Sequence, residues 1–282
     1  KWYLVFMKRY CLLFLLLIGC NNIDDSKTII HEDFSFIGYD KMAFNGDIAK
    51  ITVLTYELKK SFDEDNYEFE STDLYVFKDG FMTEVHFGDS SWIFQYNDRG
   101  DIINEKIISE DKVTSDTNAY HKYDKNGNEI SLYFKEDDNS IKSRYQYEYD
   151  SKGNRISQKR IDYDDSVVWA YKYFYDKKDR KIKDEYYKRT ALSSVTTFEY
   201  DKNQITESTY DQNGEFESGR IHKYDKNGNI IYELTYGRDR KPYYYKFREF
   251  KYDKFNNMIE VLEYDDELKL KGRKRELLIT YN

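Results

Sequence analysis

Tyr123-Asp124-Lys125-Asn126-Gly127-Asn128-Glu129-Ile130 is the stretch on which the fold turns. An aspartate that opens a tight turn can accept hydrogen bonds from the turn's own backbone amides. A glycine three residues later takes the positive φ that follows a type I turn in a three-residue hairpin loop. An aromatic residue before the turn and an isoleucine after it place strands on both sides. Asp124 and Gly127 are therefore turn residues, and the segment predicts a β-hairpin.

The phrase recurs as Tyr96-Asn97-Asp98-Arg99-Gly100, Tyr149-Asp150-Ser151-Lys152-Gly153-Asn154, Tyr175-Asp176, Tyr200-Asp201, Tyr224-Asp225-Lys226-Asn227-Gly228-Asn229 and Tyr252-Asp253. Subtracting successive Tyr positions gives spacings of 27, 26, 26, 25, 24 and 28 residues, a period that marks a repeat architecture. Asp150, Gly153, Asp225 and Gly228 take the same turn roles. Where glycine is missing, Asp179 and Asn256 stand in, the side chains that best tolerate the left-handed conformation. In the Tyr200 repeat, Ile205 follows five residues on, whereas Ile130 follows Tyr123 by seven, so that hairpin is expected to turn tightly on Lys202-Asn203.

The flanks alternate as half-exposed strands do. Tyr145, Tyr147 and Tyr149 share one face while Arg144, Gln146 and Glu148 take the other; Ile130, Leu132 and Phe134 form another apolar file. A second set of turns, around Asp137-Asp138-Asn139, Asp164-Asp165, Asn213-Gly214, Arg238-Asp239 and Asp265-Asp266, closes the opposite edge. Degenerate units such as Asn45-Gly46-Asp47-Ile48 precede the regular ones. The expected fold is all-β: a continuous antiparallel meander of tandem β-hairpin repeats over residues 34–282, forming a long, twisted or curled open sheet.

The Tyr-Asp-x-x-Gly-Asn-x-Ile phrase resembles the YD repeat of the Rhs and teneurin superfamily over roughly residues 94 to 282. The resemblance implies a sheet that curls into a β-shell enclosing a toxin or packing against other modules. The chain departs from that pattern in having few repeats, no C-terminal toxin domain and no DPxG-type core motif.

Met7-Lys8-Arg9 is a basic start, residues 11–19 are apolar, and Gly19 precedes Cys20. This is a secretory signal pattern, and an apolar run of nine residues is far short of the roughly 20 needed to span a bilayer. Leu17-Ile18-Gly19-Cys20 resembles the bacterial lipobox, which implies that Cys20 becomes the lipidated first residue of the mature protein. Residues 1–20 are thus expected to be a signal peptide starting at Met7, and residues 21–33 a polar tether. If Cys11 is discarded with the signal, no disulfide is available. Anchoring implies a bacterial outer membrane or cell-surface location, the membrane being a partner through the lipid.

The 282 residues carry a formal net charge of −8, with Lys and Arg interspersed among Asp and Glu, which argues against a nucleic-acid partner. The 30 tyrosines supply burial that few aliphatic side chains can. His121 and His222 stand two residues before a repeat tyrosine, in the slot that elsewhere holds Phe94, Tyr147, Tyr173, Phe198 or Phe250, so they read as aromatic substitutes and not as ligands or bases. The Asp-Lys-Asn-Gly-Asn run lacks the glycine and glutamate positions of a calcium loop. No nucleophile elbow or phosphate loop is present. The expectation is no enzyme, no cofactor and no metal: a lipid-anchored envelope repeat protein acting as an interaction or structural surface for a protein or glycan partner. Alternatives are a carbohydrate-binding accessory lipoprotein using its Tyr and Trp files, Trp169 among them, as a platform, or a remnant or partner of an Rhs-type toxin system.

Overall fold

A computed structural model describes residues 27–29, 43–61, 64–135, 141–265 and 271–282. In chain order its strands begin with β1 (Lys27–Ile29), β2 (Ala43–Asn45), β3 (Ile48–Ser61), β4 (Glu64–Lys78), β5 (Phe81–Phe87) and β6 (Ser90–Tyr96). Then come β7 (Ile102–Ser109), β8 (Lys112–Tyr123), β9 (Glu129–Lys135), β10 (Ile141–Tyr149), β11 (Arg155–Ile161), β12 (Val167–Tyr175) and β13 (Lys181–Lys188). The series ends with β14 (Ala191–Asp201), β15 (Gln204–Asp211), β16 (Phe216–Tyr224), β17 (Ile230–Tyr236), β18 (Pro242–Tyr252), β19 (Met258–Tyr264) and β20 (Lys271–Tyr281). β1 and β2 pair with each other. Among the described residues the other eighteen form one antiparallel meander that closes on itself, β20 pairing with β3.

Each repeat turn is built by its aspartate. Asp124 Oδ1 accepts from the amides of Asn126 and Asn128 at 2.8 and 2.9 Å, and Gly127 N donates to the Asp124 carbonyl at 3.1 Å. Asp150 Oδ1 takes the amides of Lys152 and Asn154, and Asp225 Oδ1 those of Asn227 and Asn229. Gly127, Gly153 and Gly228 lie at φ 89, 89 and 87°, and Asp179 and Asn256 at 59 and 64°. The short hairpin turns on Lys202-Asn203, with Asp201 opposite Gln204.

The repeat tyrosines stitch neighbouring hairpins at this end of the barrel. Tyr175 Oη donates to the Arg155 carbonyl and Tyr200 Oη to the Lys181 carbonyl, both at 2.7 Å. Tyr252 Oη donates to Asp225 at 2.7 Å, Tyr123 Oη to Asp101, and Tyr281 Oη to Asp253 at 3.3 Å. The ring of turns is completed where Asn257 Nδ2 donates to Tyr281 Oη and to the Asn45 carbonyl, at 2.8 and 2.9 Å.

The expected open sheet does not form, and the Rhs- and teneurin-like YD-repeat shell is corrected with it. An open meander would leave β3 and β20 as long edges, each with a row of unpaired amides and carbonyls. Here they pair along their length, from Lys59 opposite Lys271 to Ile48 opposite Tyr281. Closure also places Ile51 opposite Ile279 and Val53 opposite Leu277, so the apolar file of one strand meets that of the other on the inner face. The turn phrase specifies a hairpin; it does not specify how many hairpins wind before the edges meet.

Directly paired residues share a face, so registers separate the inside from the outside. Ile51, Val53, Tyr75, Val85 and Val261 are at most 1% exposed and cluster inside with Phe77, Met82 and Leu277. Phe44, just ahead of the barrel, is also 1% exposed and seats in that cluster. Full burial of such a side chain contributes roughly 1.5–3 kcal/mol. A second inner cluster gathers Leu132, Phe134, Tyr145, Tyr147 and Trp169.

Candidate functional site

The outer face carries ion pairs on several of its strands. Glu148 and Lys159 pair at 3.2 Å across β10 and β11, and Lys106 and Asp116 at 3.1 Å across β7 and β8. Lys183 and Glu185 pair at 2.9 Å on β13, and Lys251 and Glu260 at 2.5 Å across β18 and β19. In each case the inner neighbours, such as Tyr147, Asp184 and Val261, point to the lumen.

Between the two inner clusters the lumen carries charge. Glu263, 3% exposed, faces Lys246 Nζ at 3.0 Å and Arg248 Nε at 3.3 Å, and also contacts Arg275 Nη1. Arg248 reaches Glu233 at 3.6 Å, and Glu233 faces His222 at 3.9 Å. Burial pushes the Glu263 carboxyl up, but Arg275, Lys246 and Arg248 together outweigh it and hold the group below its ordinary value. Lys246 is the mirror case: burial lowers it, and Glu263 more than restores it. Asp73, also inward, is raised by burial against the pull of Arg275.

Beyond this belt lies a cavity of about 370 Å³, walled by β12 to β18. Its floor holds Tyr171 and Tyr186, with ring centroids 4.9 Å apart, and Phe198, over which Lys181 Nζ lies at 4.2 Å. Register brings hydroxyls of neighbouring strands onto one wall: Thr196 is opposite Thr209, and Thr209 opposite Ser218. Thr196 and Thr209 Oγ1 atoms are 3.2 Å apart. Lys181 donates to Asp184 at 3.1 Å, and Arg220 faces Glu207 at 3.9 Å. Burial and the Asp184 charge raise the Tyr171 hydroxyl above its ordinary value, so it stays a donor at neutral pH.

Cys20 lies outside the described residues, as do the turn residues 137–139 and Asp266. Asp124, Gly127, Asp150, Gly153, Asp225 and Gly228 line the rim of turns, away from the cavity. His121 points inward, Nδ1 2.6 Å from Glu129 and Nε2 2.8 Å from the Ile102 carbonyl. Burial lowers its pKa, yet Glu129 and Ile102 together hold it above the ordinary value. Among the described residues no group of three or more His, Cys, Asp or Glu is placed to hold a metal ion. Trp169 is no platform: it is 8% exposed and packs inside against Tyr145 and Tyr171, ring centroids 6.0 and 5.6 Å away.

Sequence reading missed both the charged belt and the cavity. The signal was present in β18, where Lys246 and Arg248 occupy the same file as Tyr244 and Phe250. Charges in an aromatic file mark a wall that faces a polar interior, a pattern without a place in the open sheet that the sequence led us to expect.

No protein-family model and no curated protein matches the chain. Among solved structures, a porin-like protein from Bacteroides uniformis is 9% identical, covering 83% of this chain and 96% of that one, with a TM-score of 0.43. A porin-like protein from Bacteroides vulgatus is 11% identical, covering 83% and 98%, with a TM-score of 0.28. Likenesses this distant assign no function to the chain. The closed barrel sets the Rhs relationship aside.

Proposed function

We propose that the chain is a non-enzymatic envelope protein, tethered at the bacterial outer membrane or cell surface by a lipid on Cys20, whose barrel stands in water as an interaction module. The observation that carries this reading is the outer face. A barrel that spans a membrane presents an outward apolar band about 25 Å tall, and a Lys or Arg at its midplane costs about 2–4 kcal/mol. Here Lys159, Lys183 and Lys106 lie outward on the middle of their strands, each beside a carboxylate. The belt around Glu263 and the two inner clusters occupy much of the lumen, which favours a holder over a conduit. A signal segment ending in Gly19-Cys20 supplies the tether.

Two measurements test it. Radiolabelled palmitate is expected to enter the wild-type protein and not Cys20→Ala, and the variant is expected to leave the membrane fraction without detergent. Label retained in Cys20→Ala defeats the lipid anchor. A Cys20→Ala protein that still needs detergent, or a purified barrel that raises the conductance of a planar bilayer, defeats the water-standing barrel.

A further inference from the structure

We infer that the cavity walled by β12 to β18 is a binding site for a neutral, hydroxyl-rich small molecule, a saccharide of one or a few rings. The inference goes beyond the envelope role and does not depend on the anchor. A volume of about 370 Å³ lies within the range of roughly 300–1,000 Å³ usual for small-molecule sites.

Charge excludes the first competitors. The four ionised groups that line the cavity form two opposed pairs, Lys181 with Asp184 and Arg220 with Glu207. A site for a phosphate, a nucleotide or an acidic sugar needs cations left over for the ligand, and a site for an amine needs carboxylates left over. Neither surplus exists here. What the pairs offer is a set of fixed donors and acceptors that neutral hydroxyls can bridge.

Hydroxyl density excludes the next. Ser194, Thr196, Thr209, Ser218 and Thr235 come from four consecutive strands and reach one wall because their registers put them there. The hydroxyls of Ser194, Ser218 and Thr235 have no side-chain hydrogen bond to any described residue. An acyl chain would leave these groups dry and unpaired, at about 1–3 kcal/mol each. A ligand hydroxyl both gives and accepts, which is what such a wall requires.

The aromatic floor supplies the remaining element. Tyr171, Tyr186 and Phe198 line the cavity with aromatic carbon against which the apolar side of a sugar ring can pack, while Tyr243, 68% exposed, stands among the lining residues where solvent reaches. A cavity that exists only because eighteen strands enclose more space than their side chains fill would hold water alone, and that is the alternative the experiment must separate.

The full chain, purified in detergent, is titrated by calorimetry and tyrosine fluorescence with glucose, N-acetylglucosamine, maltose, cellobiose and xylobiose. Galacturonate, AMP and palmitate serve as comparators. At least one neutral sugar is expected to saturate. Ser218→Leu, which fills the cavity beside Thr209 and Thr235, is expected to weaken it by about tenfold or more. Should Ser218→Leu lower the melting temperature, Thr196→Val, which removes a hydroxyl and keeps the shape, carries the test with a smaller loss in the same direction. Glu148→Gln on the outer face is expected to bind as wild type. The inference is overturned if no neutral sugar binds below about 10 mM, if a comparator binds in preference, or if Ser218→Leu and Thr196→Val both bind as wild type.

Discussion

Replacing Glu263 by glutamine keeps the shape of the side chain and removes a negative charge that directly contacts Lys246, Arg248 and Arg275 at once. Arg248 is 5% exposed and cannot turn to water, and Glu233 at 3.6 Å compensates only in part. Breaking a buried pair by removing one partner costs about 3–5 kcal/mol. Asp73 and Glu233 share the belt, so the lower end, about 3 kcal/mol, is expected here. For a chain of this size that is about 6–12 °C in Tm, at about 2–4 °C per kcal/mol. The sign of the pH dependence follows from the lowered carboxyl. Its contribution is fully present above the ordinary value of 4.5 and is lost as pH falls through the lower folded-state value. Urea unfolding followed by tyrosine fluorescence, at about pH 7 and about pH 3, measures both effects. The gap between wild type and Glu263→Gln should narrow in acid. A gap under about 1 kcal/mol at neutral pH, or one of equal size at both pH values, refutes the reasoning.

Three further outcomes are expected. His121 is held above its ordinary 6.5, so the stability it contributes is present below that value and lost as pH rises through the folded value; His121→Phe should abolish this loss in a Tm series across neutral pH. Gly153→Ala forces a residue with a Cβ to φ 89° where no neighbour lies closer than 3.8 Å, so backbone strain alone should cost about 1–2 kcal/mol, and Gly153→Asn clearly less, in chemical unfolding. Phe44→Ala empties a site at 1% exposure in the inner cluster and should cost about 3–5 kcal/mol; a change under about 1 kcal/mol would show that the segment ahead of β3 is not part of the folded unit.

The hairpins were legible because their chemistry is local. Asp124, Gly127 and their counterparts fix a turn with hydrogen bonds that span four residues, and the alternation of Tyr145, Tyr147 and Tyr149 with polar neighbours fixes the faces. Closure was not legible, because an alternating strand reads the same in an open sheet and in a barrel. Nothing near Ile51 announces Ile279 as its partner. The tyrosine hydroxyls were half legible. Their ring bodies were expected to pack, but the reach of Tyr252 to Asp225 and of Tyr175 to the Arg155 carbonyl crosses between repeats and depends on strand stagger. The cavity was hidden for the same reason: Thr196, Thr209 and Ser218 are ordinary strand residues until register places them side by side.

The seam between β3 and β20 also shapes how the molecule is made. Each hairpin closes a loop of a few residues and can form on its own, whereas the seam joins groups such as Tyr56 and Glu276, 220 positions apart along the chain. Loop-closure entropy makes that last step about 3 kcal/mol costlier than closing a ten-residue turn. Until it happens the growing sheet keeps two adhesive borders, and contacts of such sequence separation form slowly. The barrel is therefore most vulnerable to association with its own copies late in folding, when nearly all of its native pairing is already in place. Once the seam zips, that vulnerability ends in a single event.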